Sequence, residues 1–376
     1  MRSLAIVGSG WHPPLFREEV RALLGPIETL HPRVVFVTQS DDVIDRISGA
    51  SLVDVALSHT SRMWTYGQEA KQEEVASYVA DWAESFLPDG TFAVRSKRLG
   101  TGISGLSRRE LESDVGAKIS SYSRSVDLEK PDHEVVVVLA GSDDASSHWD
   151  DANVGQLVVW GLRDEVSNGP YTGKSPTERP FFKPVTLDPR LARLMISLSF
   201  NRGAPSAVVD PFCGTGGIAI EASMLGLEVF ASDLDPRMVE GTKTNLEWVG
   251  GSGRYLVEEC PADRIHQKWG KRLGCSFVFD PPYGRNAWTS GDGLEILLNS
   301  LDSAKEMSPD GTVCTMLPSN PEALLGPVSD GLHVMGMEWG SLRSRIEETG
   351  WAVSMCAPVR VHKSLSRLVV LCHPAD

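Results

Sequence analysis

Two short strings in this chain hold the side chains best suited to chemistry. Asp280-Pro281-Pro282-Tyr283-Gly284 follows the apolar run Phe277-Val278-Phe279, and Asp210-Pro211-Phe212-Cys213-Gly214-Thr215-Gly216-Gly217 follows Ala207-Val208-Val209. An exocyclic amine on a purine is a poor nucleophile because its lone pair is delocalised into the ring. Acceptors that hold its hydrogens draw the nitrogen towards tetrahedral geometry. Asp280 offers a carboxylate, and the carbonyl of Pro281, in a backbone stiffened by Pro282, offers a second acceptor. Tyr283 can lie flat against a base swung out of its stack, and Gly284 lets the chain turn away. A methyl carbon placed in line with the nitrogen would then transfer, and the proton would leave only once the nitrogen is cationic. Proximity and electrostatic placement would supply most of the rate.

The glycine string reads as a strand, a tight loop and a helix starting near Ile218, which presents free N–H groups and lets a ligand approach the main chain. Alone, it suits NAD, S-adenosylmethionine or a phosphate. Nineteen residues after Gly214, the strand Leu227-Glu228-Val229-Phe230-Ala231 ends in Ser232-Asp233 and sets a carboxylate where a ribose diol would sit. After a third strand, Tyr255-Leu256-Val257, Asp263 is placed to accept from an adenine amine, or is an ordinary solvated loop acid. The two strings, in this order and with acidic strand ends between them, point to a methyltransferase.

At this point the chain resembles the archaeal and eukaryotic tRNA (guanine-10-N2)-methyltransferases. The resemblance rests on both strings, on Arg179-Pro180-Phe181-Phe182-Lys183-Pro184 followed by Leu187-Asp188-Pro189-Arg190-Leu191-Ala192-Arg193, and on the tail Val359-Arg360-Val361-His362-Lys363-Ser364-Leu365-Ser366-Arg367. It implies an α/β protein: a C-terminal Rossmann-like seven-stranded methyltransferase sheet, with an N-terminal α+β half made of a ferredoxin-like part and a THUMP RNA-binding domain. The implied cofactor is S-adenosyl-L-methionine and the implied partner is tRNA. Asp280, Pro281, Pro282 and Tyr283 would act on the amine. Asp210, Phe212, Gly214, Thr215, Gly216, Asp233, Leu234, Asp263 and Asp280 would surround the cofactor. Related enzymes often begin the second string with Asn, so Asp280 favours the position-10 branch.

The domains expected are residues 1–58 (ferredoxin-like), 59–168 (THUMP), 169–200 (connector) and 201–376 (methyltransferase). Strands are expected at Leu4 to Val7, Val34 to Val37, Thr91 to Arg95, His133 to Ala140 and Gln156 to Gly161, with helices over Phe16 to Leu24 and Glu73 to Phe86. Gly8-Ser9-Gly10 is not a dinucleotide loop, because Pro13 stands at the third glycine position. In the C-terminal part, a helix over Leu294 to Met307, a strand over Thr312 to Leu317 and a closing hairpin of Trp351 to Val361 with Leu365 to Cys372 complete the seven strands.

The chain of 376 residues carries a net charge of −14, yet residues 91–130 hold eight Lys or Arg against five acids. Arg95, Lys97, Arg98, Arg108 and Arg109 in that segment are the candidate tRNA contacts, because phosphate contacts supply affinity without reading sequence. An ordinary solvated face is the alternative. Lys174, Arg179, Lys183, Arg190, Arg193 and Arg202 suggest a second basic strip along the connector.

The six cysteines are scattered and read as reduced core thiols, with no metal expected; Cys213 reads as packing and not as a nucleophile. His362 is placed to touch RNA or to cap a strand, and Trp288 to form a pocket lip or pack in the core. With no apolar span near twenty residues and no cleavable leader before Leu4, a soluble cytoplasmic protein is expected, without membrane or DNA partners. A small activating protein partner, as in eukaryotic relatives, is left open; otherwise a monomer is expected. Also open are one or two methyl groups, an adenine-N6 or another guanine-N2 target in rRNA, tRNA or DNA, and an RNA-binding protein with an idle site.

Overall fold

The computed structural model describes residues 3–38, 40–65, 69–142, 156–166, 175–184, 186–200, 203–282, 292–325, 328–362 and 365–375. The chain divides into two compact units, Met1–Ser48 with Leu52–Asn168, and Gly49–Ser51 with Gly169–Asp376. No described helix is long and apolar enough to cross a membrane.

The first unit is built on one eight-stranded sheet. Its strands are β1 (Ser3–Gly8), β2 (Glu28–His31), β3 (Val34–Thr38), β4 (Val53–Trp64), β5 (Thr91–Leu99), β6 (Ser125–Val126), β7 (His133–Ala140) and β8 (Leu157–Asp164), in the order β2-β3-β1-β4-β8-β7-β5-β6. β4 continues past residue 58, with a shift of register against β8 between Ser58 and Ser61 and His59 at φ +50. β7 explains its own unbroken apolar run: Val135, Val137 and Leu139 face one core, while Val136, Val138 and Ala140 face the other. The first of these cores is closed by α3 (Gln72–Phe86) and α4 (Arg108–Ser120). Beside β1, α1 (Pro13–Leu24) presses Phe16 against Gly8, where a Cβ would lie 2.5 Å from the ring, so that glycine serves close packing. The short helix α2 (Val43–Ile47) precedes β4.

The second unit carries a nine-stranded sheet. Its strands are β9 (Ala207–Asp210), β10 (Val229–Asp233), β11 (Tyr255–Glu259), β12 (Cys275–Phe279), β13 (Thr312–Ser319), β14 (His333–Val334), β15 (Met337–Glu338), β16 (Trp351–His362) and β17 (Leu365–Pro374). β11, β10, β9, β12 and β13 run parallel in that spatial order; β17 pairs antiparallel with β13, and β16 with β17. These are the seven strands expected. β14 and β15 are two-residue additions beyond Ser319 that the sequence reading did not include.

From β9 the chain steps outward to β10 and β11, then returns to β12 on the other side of β9. The carboxyl ends of β9 and β12 therefore flank the point where strand order reverses, where α/β sheets open a crevice. The helices α5 (Pro189–Leu198), α6 (Gly217–Met224), α7 (Pro236–Val249) and α8 (Ile265–Trp269) cover this sheet together with those at Asp292–Met307 and Trp339–Glu348. Asp188 caps α5 by accepting from the N–H groups of Arg190 and Leu191, ahead of Pro189 in the first turn.

Candidate active site

The strand ends collect four carboxylates along one edge: Asp263 after β11, Asp233 at the end of β10, Asp210 at the end of β9 and Asp280 directly after β12. All four line one cleft of about 840 Å³. Asp233 is oriented by two backbone donors, Gly214 N–H to Oδ2 at 3.0 Å and Asp235 N–H to Oδ1 at 2.9 Å. Its remaining lone pairs can take a diol. Asp210 accepts from Phe212 N–H at 3.1 Å. Burial pushes the Asp210 carboxyl well above the usual range; that bond partly opposes the shift, while Asp233 and Asp280 add to it.

The glycine string has the expected strand, loop and helix form. Gly214 stands at φ +51, and a Cβ built there meets nothing nearer than the Phe212 carbonyl at 3.9 Å, so its open side faces room for a ligand. Gly216, at φ +82, is the N-cap of α6; a Cβ there would lie 2.9 Å from Thr242, which makes its role one of turn geometry. Thr215 is buried and meets the Thr186 hydroxyl at 2.9 Å. Phe212 leans on Phe279 with ring centroids 5.6 Å apart, and Leu234, 68% exposed, lies at the rim.

Cys213 donates its N–H to Ser232 and its thiol accepts from the Thr242 hydroxyl at 3.6 Å. Burial pushes the thiol far up from its ordinary value, which suits packing and not nucleophilic attack. No described group of His, Cys, Asp or Glu has the arrangement of a metal site.

Pro281 and Pro282 follow Asp280 at the cleft wall. Tyr283, Gly284 and Trp288 lie outside the described residues, as does the side chain of His362. Two further parts reach the cleft: the connector, read from sequence as a basic strip beside the cofactor site, and a residue of the last strand to which the sequence reading gave no role. In the connector, Lys183, Thr186 and Leu187 form a wall of the cleft. The strand residue is Arg367 in β17, whose Nη1 donates to Asp280 Oδ2 at 2.6 Å. The signal for Arg367 was its place at the start of a last strand running antiparallel, which sets a strand's first residues, not its last, at the ligand edge.

The second basic strip needs correction. Arg179 and Arg193 are buried, not on a surface: Arg193 pairs with buried Glu221 at 2.7 Å, while burial lowers the Arg179 guanidinium from its ordinary value and the charge of Glu221 offsets only part of that shift. Lys174 and Arg202 lie outside the described residues. Of the N-terminal candidates, Arg95 donates to the Leu128 carbonyl at 2.6 Å and to Glu134 at 3.4 Å, Lys97 pairs with Asp54, and Arg108 donates to the Ser96 carbonyl at 2.8 Å. Arg98 and Arg109 are exposed.

A parallel-sheet crevice of this kind, with a glycine loop at one strand end and Asp-Pro-Pro at the next, defines a nucleoside-dependent methyltransferase. The family of RMKL-like methyltransferase domains matches residues 176–325, and the THUMP domain family matches residues 74–142. TrmN from Thermus thermophilus shares the fold, with a TM-score of 0.51 and 20% identity over 99% of this chain and 100% of that one.

The chain belongs to the tRNA (guanine(10)-N2)-dimethyltransferase family. It is 30% identical over 357 residues to the member from Methanothermobacter thermautotrophicus, covering 90% of this chain and 93% of that protein. It is also 30% identical over 267 residues to the member from Pyrococcus abyssi, covering 71% of this chain and 74% of that protein.

Proposed function

We propose that this protein methylates the exocyclic N2 amine of a guanosine in tRNA, at position 10, using S-adenosyl-L-methionine. The residues fit that cofactor: Gly214 leaves room beside the main chain, Asp233 has acceptor capacity for a ribose diol, and Asp263, which lines the same cleft, would accept from an adenine amine. An acidic cleft also suits a cationic ligand. The bound cofactor supplies a methyl carbon made electrophilic by its sulfonium.

The observation that carries the reading is that Asp280 and Pro281 open onto the same cleft as Gly214 and Asp233, but from the other side of the strand-order reversal. The amine and the methyl donor would thus enter from opposite sides and meet in line. Asp280 and the Pro281 carbonyl accept the amine hydrogens and hold the nitrogen lone pair towards the methyl. With the cofactor bound, Asp280 would stabilise the positive charge that the nitrogen gains on taking the methyl group in place of sulfur, and the nitrogen's proton would pass to solvent. Two successive transfers to the same nitrogen are the reading favoured by likeness to the dimethyltransferases. The exposed Arg98 and Arg109 are the proposed phosphate contacts of the tRNA.

The test is to incubate the protein with labelled S-adenosyl-L-methionine and unmodified tRNA, digest the product and place the label. We expect N2-methylated guanosine at position 10. Asp280→Ala should lower transfer by about a thousandfold while tRNA binding stays within about threefold. Label on adenosine would favour an adenine-N6 enzyme, and undiminished transfer by the variant would remove Asp280 from the chemistry.

A further inference from the structure

The closing hairpin brings a cation to the reacting end of the cleft. Because β17 is antiparallel to β13, its first residues lie at the carboxyl edge, with Arg367 opposite Pro318 and Ser366 opposite Ser319. Ser366 fixes that start. It is fully buried, and its hydroxyl donates to the Ser319 carbonyl at 3.1 Å, lies 2.9 Å from the Ser319 hydroxyl and also reaches the Asn320 carbonyl. Arg367 then extends past β13 to Asp280 Oδ2 at 2.6 Å, and both side chains line the cleft. The Arg367 side chain is 15% exposed and that of Asp280 17%.

Asp280 shares this cleft with Asp210, Asp233 and Asp263, and the cation of Lys183 lies in the connector wall. A carboxylate withdrawn from water among other acids is disfavoured unless a cation compensates it. The role proposed above requires Asp280 to stay a carboxylate, since a carboxylic acid would point an O–H donor at an amine whose hydrogens need acceptors. It also requires the group to hold one orientation.

We propose that Arg367 is the positioning residue for Asp280: by engaging Oδ2 it keeps the group charged and turns its remaining acceptor capacity towards the target amine. This inference rests on the guanine-N2 reading. Arg367 acts through Asp280 and needs no contact with the cofactor. A strand anchored by Ser366 gives it a fixed base, and a guanidinium nitrogen bonds a carboxylate oxygen more directionally than an ammonium does.

The experiment compares wild type, R367M, R367K, D280N and D280N/R367M for kcat on tRNA, for cofactor affinity by titration without tRNA, and for thermal stability. We expect R367M to lower kcat by about a hundredfold with cofactor affinity changed less than about threefold, and R367K to recover part of the loss. In the D280N background the neutral amide needs no counter-charge, so adding R367M should cost less than about threefold. If R367M fails to fold, R367K alone and with D280N takes its place in the cycle, since the coupling needs the Arg367 variant in both backgrounds.

Three results would overturn the inference: an R367M enzyme with wild-type kcat, equal loss from R367M in both backgrounds, or a fall in cofactor affinity that matches the fall in kcat. A wild-type protein that transfers nothing to tRNA guanine overturns the functional reading and this inference with it. An active wild type with multiplicative losses overturns this inference alone.

Discussion

Asp210 ends β9 almost without exposure, and burial pushes its carboxyl well above the ordinary value of 3.8, with Asp233 and Asp280 acting in the same direction. The folded protein therefore keeps this proton over a pH range in which the unfolded chain has released it. For an acid shifted upward, the stabilising contribution is complete below the unfolded value and is lost as pH rises through the folded one. Asp210→Asn cannot lose a proton and keeps an oxygen to accept from Phe212 N–H. Its stability relative to wild type should therefore climb with pH from about 4 upward, by at most ~1.4 kcal/mol per pH unit. Urea unfolding without cofactor at a series of pH values measures this, and a difference that stays flat would mean that Asp210 ionises as freely in the fold as in the unfolded chain.

At the scale of elements, one side chain of α7 pins the connector wall at Phe181, beside the Thr186–Thr215 contact. Asn245 is fully buried; its amide donates to the carbonyls of Phe181 at 2.8 Å and Thr215 at 2.9 Å, and its oxygen accepts from Phe181 N–H at 3.0 Å. Phe181 also lies over Gly241, where a Cβ would come within 2.0 Å of the ring. Asn245→Ala would remove the partner of one buried and two part-buried backbone groups, so we expect a loss of about 2–4 kcal/mol in urea unfolding. Weaker cofactor binding should accompany it, as the wall bearing Lys183 and Thr186 loosens; an intact affinity would show the wall to be held elsewhere. The parallel strands were legible because Val208-Val209, Phe230-Ala231 and Phe277-Val278-Phe279 are short apolar runs ending at acids, and the backbone of a parallel sheet fixes where such ends lie. The clamp was not legible, because nothing local marks an Asn on a helix as the partner of a segment 64 residues away. Arg367 was hidden for the same reason: its meaning depends on a strand direction. β4 was also missed as a strand, since its outer half, His59-Thr60-Ser61-Arg62, is polar, and its pairing with β1 and β8 outweighs that composition.

For the molecule as a whole, a net charge of −14 has to be reconciled with a polyanionic substrate. Counting charges along residues 91–130 found the basic segment but could not see which cations are already engaged. Arg95 and Lys97 are tied to Glu134 and Asp54, so reversing their charge would disturb the sheet as well as any phosphate contact. Arg98, late in β5, and Arg109, early in α4, are exposed and have no hydrogen bond or ion pair among the described residues. Phosphate contacts give affinity that falls with salt, in proportion to the number of charges neutralised. The double variant R98E/R109E is therefore expected to weaken tRNA binding about tenfold at low salt and to reduce the slope of log affinity against log salt by roughly one per residue. Transfer at saturating tRNA should be retained, because neither residue lines the cleft. Filter binding across a salt series separates the outcomes: an unchanged slope would place the tRNA phosphates on another face, whereas loss of turnover at saturation would mean that these arginines orient the substrate as well as hold it.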